Sequence, residues 1–224
     1  MGETEDRAAK GLRRRELLRR AGVLGAAAAV PAGLAAPAGG APERDQLRAF
    51  AAQDADTLEA VLARLIPEDA SGPGAVKARV GRYIDRQIAG EQKGTAALYE
   101  AGLPALDEYA RAKHGSAFAQ LAGGLQDDVL RDLEAGVAPG FVPDSNTFFS
   151  LLREHAFQGM FGDPVHGGNA GFAGWDLLGY PGVKLNFTAR EQDTGTRVRR
   201  VHRSTADYEL FGGRSGSGAS HHGH

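Results

Sequence analysis

The side chains best suited to chemistry gather late in the chain: Glu154, His155, Asp163 and His166. Two imidazoles and two carboxylates could ligate zinc or another divalent cation. Their spacing matches no defined metal motif, and the two histidines fall on either side of a helix end. A metal-dependent hydrolase using His155, Asp163 and His166 is the enzymatic reading of this cluster. Hydrogen-bonded loop residues are the plainer one, with Asp163 before Pro164 opening a turn or capping backbone donors. Asp127 and Asp128 make a poor acid/base pair, because adjacent residues on a helix point about 100° apart. They read better as a solvated face. His221, His222 and His224 sit in a Gly/Ser-rich terminus, where metal binding would be adventitious.

Other chemistries lack their residues. The chain has no Gly-x-Ser-x-Gly elbow, no phosphate-binding loop, no His-Glu-x-x-His and no Gly-x-Gly-x-x-Gly. It therefore makes no case for binding FAD or a nicotinamide by itself. Its 224 residues include no cysteine, which removes disulfides, thiolate zinc, iron–sulfur clusters and c-type haem attachment. With 26 Lys+Arg against 28 Asp+Glu, the net charge of -2 gives no general reason to bind nucleic acid.

The elements that would position these residues are helical. Apolar residues recur at helix spacing from Glu43 to Ile66 (Leu47, Phe50, Leu58, Val61, Leu62, Leu65), and Pro67 ends the run. After Ser71-Gly72-Pro73-Gly74, a second helix is expected over Ala75–Ala89, with Val76, Val80, Tyr83, Ile84 and Ile88 inward. A third, capped by Thr95, carries Leu98, Leu103, Leu106 and Tyr109, with a kink or division at Gly102 and Pro104. Phe118 and Leu121 follow. Leu125–Ala135 is the next helix, stopped by Gly136. Asp144 or Ser145 opens the last, which carries Phe148, Phe149, Leu151, Leu152, His155 and Phe157 and closes near Gly159. Nothing alternates with period two. The expectation is an all-α domain of five or six helices.

Residues 160–182 change character, with many glycines beside Phe161, Phe172, Trp175 and Tyr180. Glycines let the backbone turn sharply while the rings are pinned against the helical body or another protein. Residues 183–224 lose apolar periodicity. They are basic over 184–203, become Gly/Ser/His-rich from Gly212, and read as a flexible or adaptable tail.

The N-terminus reads as an address. Arg14-Arg15-Glu16-Leu17-Leu18-Arg19 fits the twin-arginine pattern, and a mildly apolar Ala/Gly-rich stretch and Ala36-Pro37-Ala38 follow it. The apolar stretch is short for a membrane span and contains Pro31 and Gly33. Residues 1–38 hold seven basic and four acidic side chains, so the remainder carries -5 of the total -2. An exported, acidic protein is expected.

The run Gly159-Met160-Phe161-Gly162-Asp163-Pro164, with Gly167-Gly168-Asn169, Gly174-Trp175 and Gly179-Tyr180-Pro181-Gly182, resembles the gluconate 2-dehydrogenase subunit 3 family. The likeness extends upstream through Leu65-Ile66-Pro67, Gly102-Leu103 and Leu106-Asp107, covering about 50–182. It implies the small, non-catalytic subunit of a membrane-associated flavin dehydrogenase. The large subunit would be a glucose–methanol–choline type flavoprotein that holds FAD and oxidises a sugar or sugar acid such as gluconate. In many such systems a multihaem cytochrome c, with haem c, takes the electrons. The small subunit typically carries the twin-arginine signal for the pair.

The resulting organisation is a signal at 1–38, a helical domain at 43–182 and a tail at 183–224. Arg14, Arg15, Leu17 and Leu18 would address the twin-arginine translocase and deliver the complex to the periplasm or cell envelope. Phe161, Trp175 and Tyr180 are candidate packing or interface anchors, and Asp163, Gly167, Gly168 and Asn169 candidate loop scaffolds. The chain itself is expected to hold no catalytic residue, cofactor or metal. The alternative to an escort is a stand-alone binding or structural protein of the envelope.

Overall fold

Helix α5 (Ser145–Phe161) organises the domain, because Phe148, Phe149, Leu152, His155, Ala156, Gly159 and Met160 recur at three- and four-residue steps and bury one continuous face. The computed structural model describes residues 47–90 and 93–211. The proposed signal, with Arg14, Arg15, Leu17 and Leu18, lies outside the described residues, as do His221, His222 and His224. Around α5 pack α1 (Ala52–Leu65), α2 (Val80–Ala89), α3 (Ala96–His114) and α4 (Gly123–Ala135). Two short helices follow, α6 (Ala173–Leu178) and α7 (Ala189–Gln192), making seven α-helices and no strand among the described residues. The protein is all-α.

Local chemistry sets the helix ends. Asp144 caps α5, accepting from Thr147 N at 2.8 Å. Gly136 closes α4 in the left-handed region at φ 73°. In the core, Leu58, Val61 and Leu62 of α1 meet Ile84, Leu103, Leu106, Leu133 and Leu152. Buried Asp107 is satisfied there by Thr57 Oγ1 at 3.1 Å and the backbone N–H of Phe118 at 3.0 Å.

Four helix expectations need correction. Residues 47–51 do not extend α1 backwards: Ala49 N–H donates to Asp85 Oδ1 at 2.7 Å instead, although Leu47 and Phe50 still pack on the core. The second helix starts at Val80, because Arg79 is left-handed (φ 56°) and 75–79 form a turn, leaving Val76 48% exposed. That turn frees the Ala78 carbonyl, which accepts from Ala170 N at 3.0 Å. Helix α3 runs unbroken through Pro104, which sits on an exposed face where water can satisfy the Glu100 carbonyl. Thr95 makes no side-chain cap, while Gly102 admits the Phe148 ring against the helix backbone. Finally, α5 continues to Phe161, two residues past Gly159, and Phe157 is exposed off its buried face.

Candidate functional site

Beyond α5 the chain folds back on the end of that helix, held there by Asn169 and by close approaches at Gly168 and Gly174. Asn169 is fully buried and left-handed (φ 46°), and it bonds three ways. Its N–H donates to Gly159 O at 2.7 Å, its Nδ2 donates to Gly162 O at 2.8 Å, and its Oδ1 accepts from Gly174 N at 2.8 Å. The chain on either side must come close enough for this. A methyl group on Gly168 would overlap the Gly159 carbonyl, and one on Gly174 would overlap that of Met160. Gly167 is at φ 105° and lies against the Arg86 side chain, whose Nη1 donates to Val165 O at 3.2 Å.

The rings are pinned to the chain's own body. Trp175 is 5% exposed and donates from Nε1 to Phe161 O at 2.8 Å. Phe161 packs on the core and stacks with Phe157, with ring centroids 5.9 Å apart. Tyr180 meets the Trp175 ring edge-on at 4.8 Å yet remains 43% exposed. Phe172 tilts against Trp175 at 5.5 Å, and its other neighbour is His202, stacked nearly parallel at 5.1 Å.

His202 belongs to the segment read as an adaptable tail, of which 183–211 makes defined contacts with the loop. Asp163 Oδ1 accepts from Val165 N as a turn cap, while Oδ2 accepts from Thr205 N at 2.8 Å and from Thr205 Oγ1 at 2.9 Å. Asp176 Oδ1 takes both Arg200 Nη1 at 2.9 Å and His202 Nε2 at 2.8 Å. Backbone bonds link Val183 N to Arg203 O and Val201 N to Pro181 O, and Tyr208 Oη donates to Val183 O at 2.6 Å. Thr188 and Glu191 form a reciprocal capping box on α7, and Lys184 pairs with Glu191. Residues 183–211 thus form an arm laced to the loop.

Electrostatics follow these contacts. The His202 hydrogen bond, aided by the Arg200 charge, holds the Asp176 carboxyl below its ordinary value. The Lys184 bond and the Thr188 backbone bring Glu191 down to about 2. Burial lowers the pKa of His155, which sits 2% exposed with Nδ1 paired to Tyr99 Oη at 2.9 Å and its ring stacked on Tyr99.

These partners decide the metal reading. His155 is sealed beside Tyr99, Asp163 is committed to Val165 and Thr205, and His166 is exposed. The three are not brought together, and no group of three or more such side chains able to hold a metal occurs among the described residues. An open hollow of about 470 Å³ lies beside the loop, lined by Ser71, Pro73, Lys77, Gly171, Asp176 and Leu177. Its charges are already matched, Lys77 by Glu68 and Asp176 by Arg200 and His202.

Phe161, Asp163, Gly167, Gly168, Asn169, Trp175 and Tyr180 therefore lie in one substructure, joined by Asp176, Arg200, His202 and Thr205. The Thr188-x-x-Glu191 spacing was the sequence signal for order in the arm. No spacing pattern marks the long-range pairs. No helix among the described residues is long and apolar enough to cross a membrane. Comparison with the curated proteins and with the solved structures found no match. The family model for gluconate 2-dehydrogenase subunit 3 matches residues 52–182, more than half of the chain, and ends where the arm begins. The chain belongs to the gluconate 2-dehydrogenase subunit 3 family.

Proposed function

We propose that this chain is the non-catalytic small subunit of a flavin-dependent dehydrogenase complex, escorting its partner through the twin-arginine route and stabilising it in the periplasm or cell envelope. The partner is a glucose–methanol–choline type flavoprotein that holds FAD and oxidises a sugar or sugar acid such as gluconate. A membrane-bound multihaem cytochrome c accepts the electrons. The observation that carries this reading is the family match over the domain, whose characteristic loop residues are spent on holding shape. Asn169 and Asp163 use their polar atoms on backbone groups of the same chain. A loop whose shape is fixed in this way presents a preorganised surface, as a binding interface requires.

The escort role is tested by replacing Arg14 and Arg15 with Lys. Both this chain and the flavoprotein are then expected to remain in the cytoplasm, read by fractionation and flavin absorbance. Continued export of the flavoprotein defeats the escort role. Failure of the wild-type chain to co-purify with any flavoprotein defeats the complex altogether and favours a stand-alone envelope protein.

A further inference from the structure

The arm lies beyond the part shared with the family, and its chemistry is opposite to that of the domain it is laced to. Residues 52–182 carry ten Lys/Arg against 18 Asp/Glu, whereas 183–211 carry six against four. Lys184 is paired with Glu191, Arg200 with Asp176, and the Arg203 guanidinium lies over the Tyr208 ring. Arg190, Arg197 and Arg199 are exposed and take no ion pair among the described residues.

The chain leading into the arm carries a short stretch with an unusual apolar display. Leu178, Tyr180, Leu185 and Phe187 are all among the exposed large apolar residues, within ten residues of chain. Here the backbone is held by the Val183–Arg203 and Val201–Pro181 bonds, the Tyr208 hydroxyl and the α7 capping box. Aromatic and arginine side chains on a backbone already held in place are what protein interfaces use as anchors, because the backbone loses little further entropy on binding.

We propose that Leu178–Phe187 together with Arg190, Arg197 and Arg199 is a docking surface for an acidic, partly apolar face of the flavoprotein subunit. The inference rests on the function proposed above and adds where the partner sits and what it must present. Charge selects the occupant. A two-fold pair of copies meeting through this face would set the same three arginines against one another. A membrane surface is disfavoured because α7 is only four residues long, too short to lay an amphipathic face into a bilayer.

The test uses the full exported chain and the FAD-containing subunit that co-purifies with it, separated and titrated back together. Arg190→Glu, Arg197→Glu and Arg199→Glu combined should weaken association about thirtyfold or more at low salt, and added salt should weaken the wild type but not the variant. Phe187→Ala with Leu185→Ala should weaken it about tenfold independently of salt. Circular dichroism melts should be unchanged for both, since neither set is buried.

Unchanged affinity in the charge-reversed chain overturns the proposal while leaving the complex intact. It is equally overturned if the charge reversal abolishes binding to vesicles of phosphatidylglycerol, or abolishes self-association, while flavoprotein binding persists. If the wild-type chain binds no flavoprotein, the underlying function fails, and this inference with it.

Discussion

The helical body and the loop with its arm are held together by different physics. In α1–α5, apolar side chains at helix spacing are taken out of water, and each contributes through area and packing. From Gly162 onward the apolar contribution shrinks to buried Trp175 with Ala173 and Leu177 partly buried on the core, and individual polar atoms take over: Asn169 with three bonds, Asp163 with three, Asp176 with two. A body of the first kind degrades gradually as atoms are removed. A region of the second kind has few connections, and each one is specific. The loop and arm should therefore open as a unit below the energy of global unfolding.

The largest effect is expected where the two regions meet. Gly174→Ala puts a methyl group on the Met160 carbonyl oxygen, a backbone atom inside α5 that cannot step aside. A cost on the order of 4 kcal/mol is expected, enough to detach the loop or prevent folding. It is read from thermal melts and soluble yield. Little change in either would mean that the approach of α6 to α5 is loose and that the two regions differ less than their contacts suggest.

Asn169→Ala comes next, at about 2–3 kcal/mol, because it leaves the Gly162 carbonyl and the Gly174 amide without partners in a buried site. The loss should be local. Hydrogen exchange is expected to accelerate over 163–182 and the arm while α1–α4 keep their protection. Uniform acceleration across the chain would show that the loop is part of the global folding unit.

These two sites also show where sequence reasoning reaches its limit. The five long helices were legible because Leu58, Val61 and Leu62, or Phe148, Leu152 and His155, repeat with the helix period, and burial of that stripe dominates their energy. The break at Arg79 was not. Ala75-Val76-Lys77-Ala78-Arg79 reads as helix, and the turn exists alongside the distant bond from Ala170 N to Ala78 O. That the loop's rings are pinned was legible from its glycines, although not which surface pins them. The contacts of the arm left no mark in the sequence for the same reason as the break at Arg79. Pairs such as Asp163–Thr205 and Asp176–Arg200 are 42 and 24 residues apart and leave no periodic trace.

A third prediction separates the regions by pH. Burial depresses the pKa of His155, so the unfolded chain binds its proton more readily. The stability held by the neutral ring is complete above the unfolded value of about 6.5. It is lost as pH falls from there through the lower folded value, at no more than about 1.4 kcal/mol per pH unit for one proton. The melting temperature of the body should fall between pH 7 and 5, and His155→Gln should flatten that slope. An unaltered slope would place the acid sensitivity outside the core.

The smallest effect belongs to the arm, and it falls in a different pH window. Asp176 is more acidic when folded, first through the His202 bond and then through the neighbouring cations. Its contribution is thus complete above the unfolded carboxyl value of about 3.9, and it disappears as pH falls through the lower folded value. The side chain is over a third exposed, so solvent screens the pair and a few tenths of a kcal/mol is the expected size. Asp176→Asn should raise amide exchange at residues 200–205 slightly at neutral pH and leave the α5 amides unchanged. Acid should therefore erode the body below pH 6.5 while the Asp176 latch still holds, and release the latch only below about pH 4. If exchange at 200–205 instead rises in step with the body between pH 7 and 5, the arm depends on the core more than on its carboxylate, and the two regions are one cooperative unit.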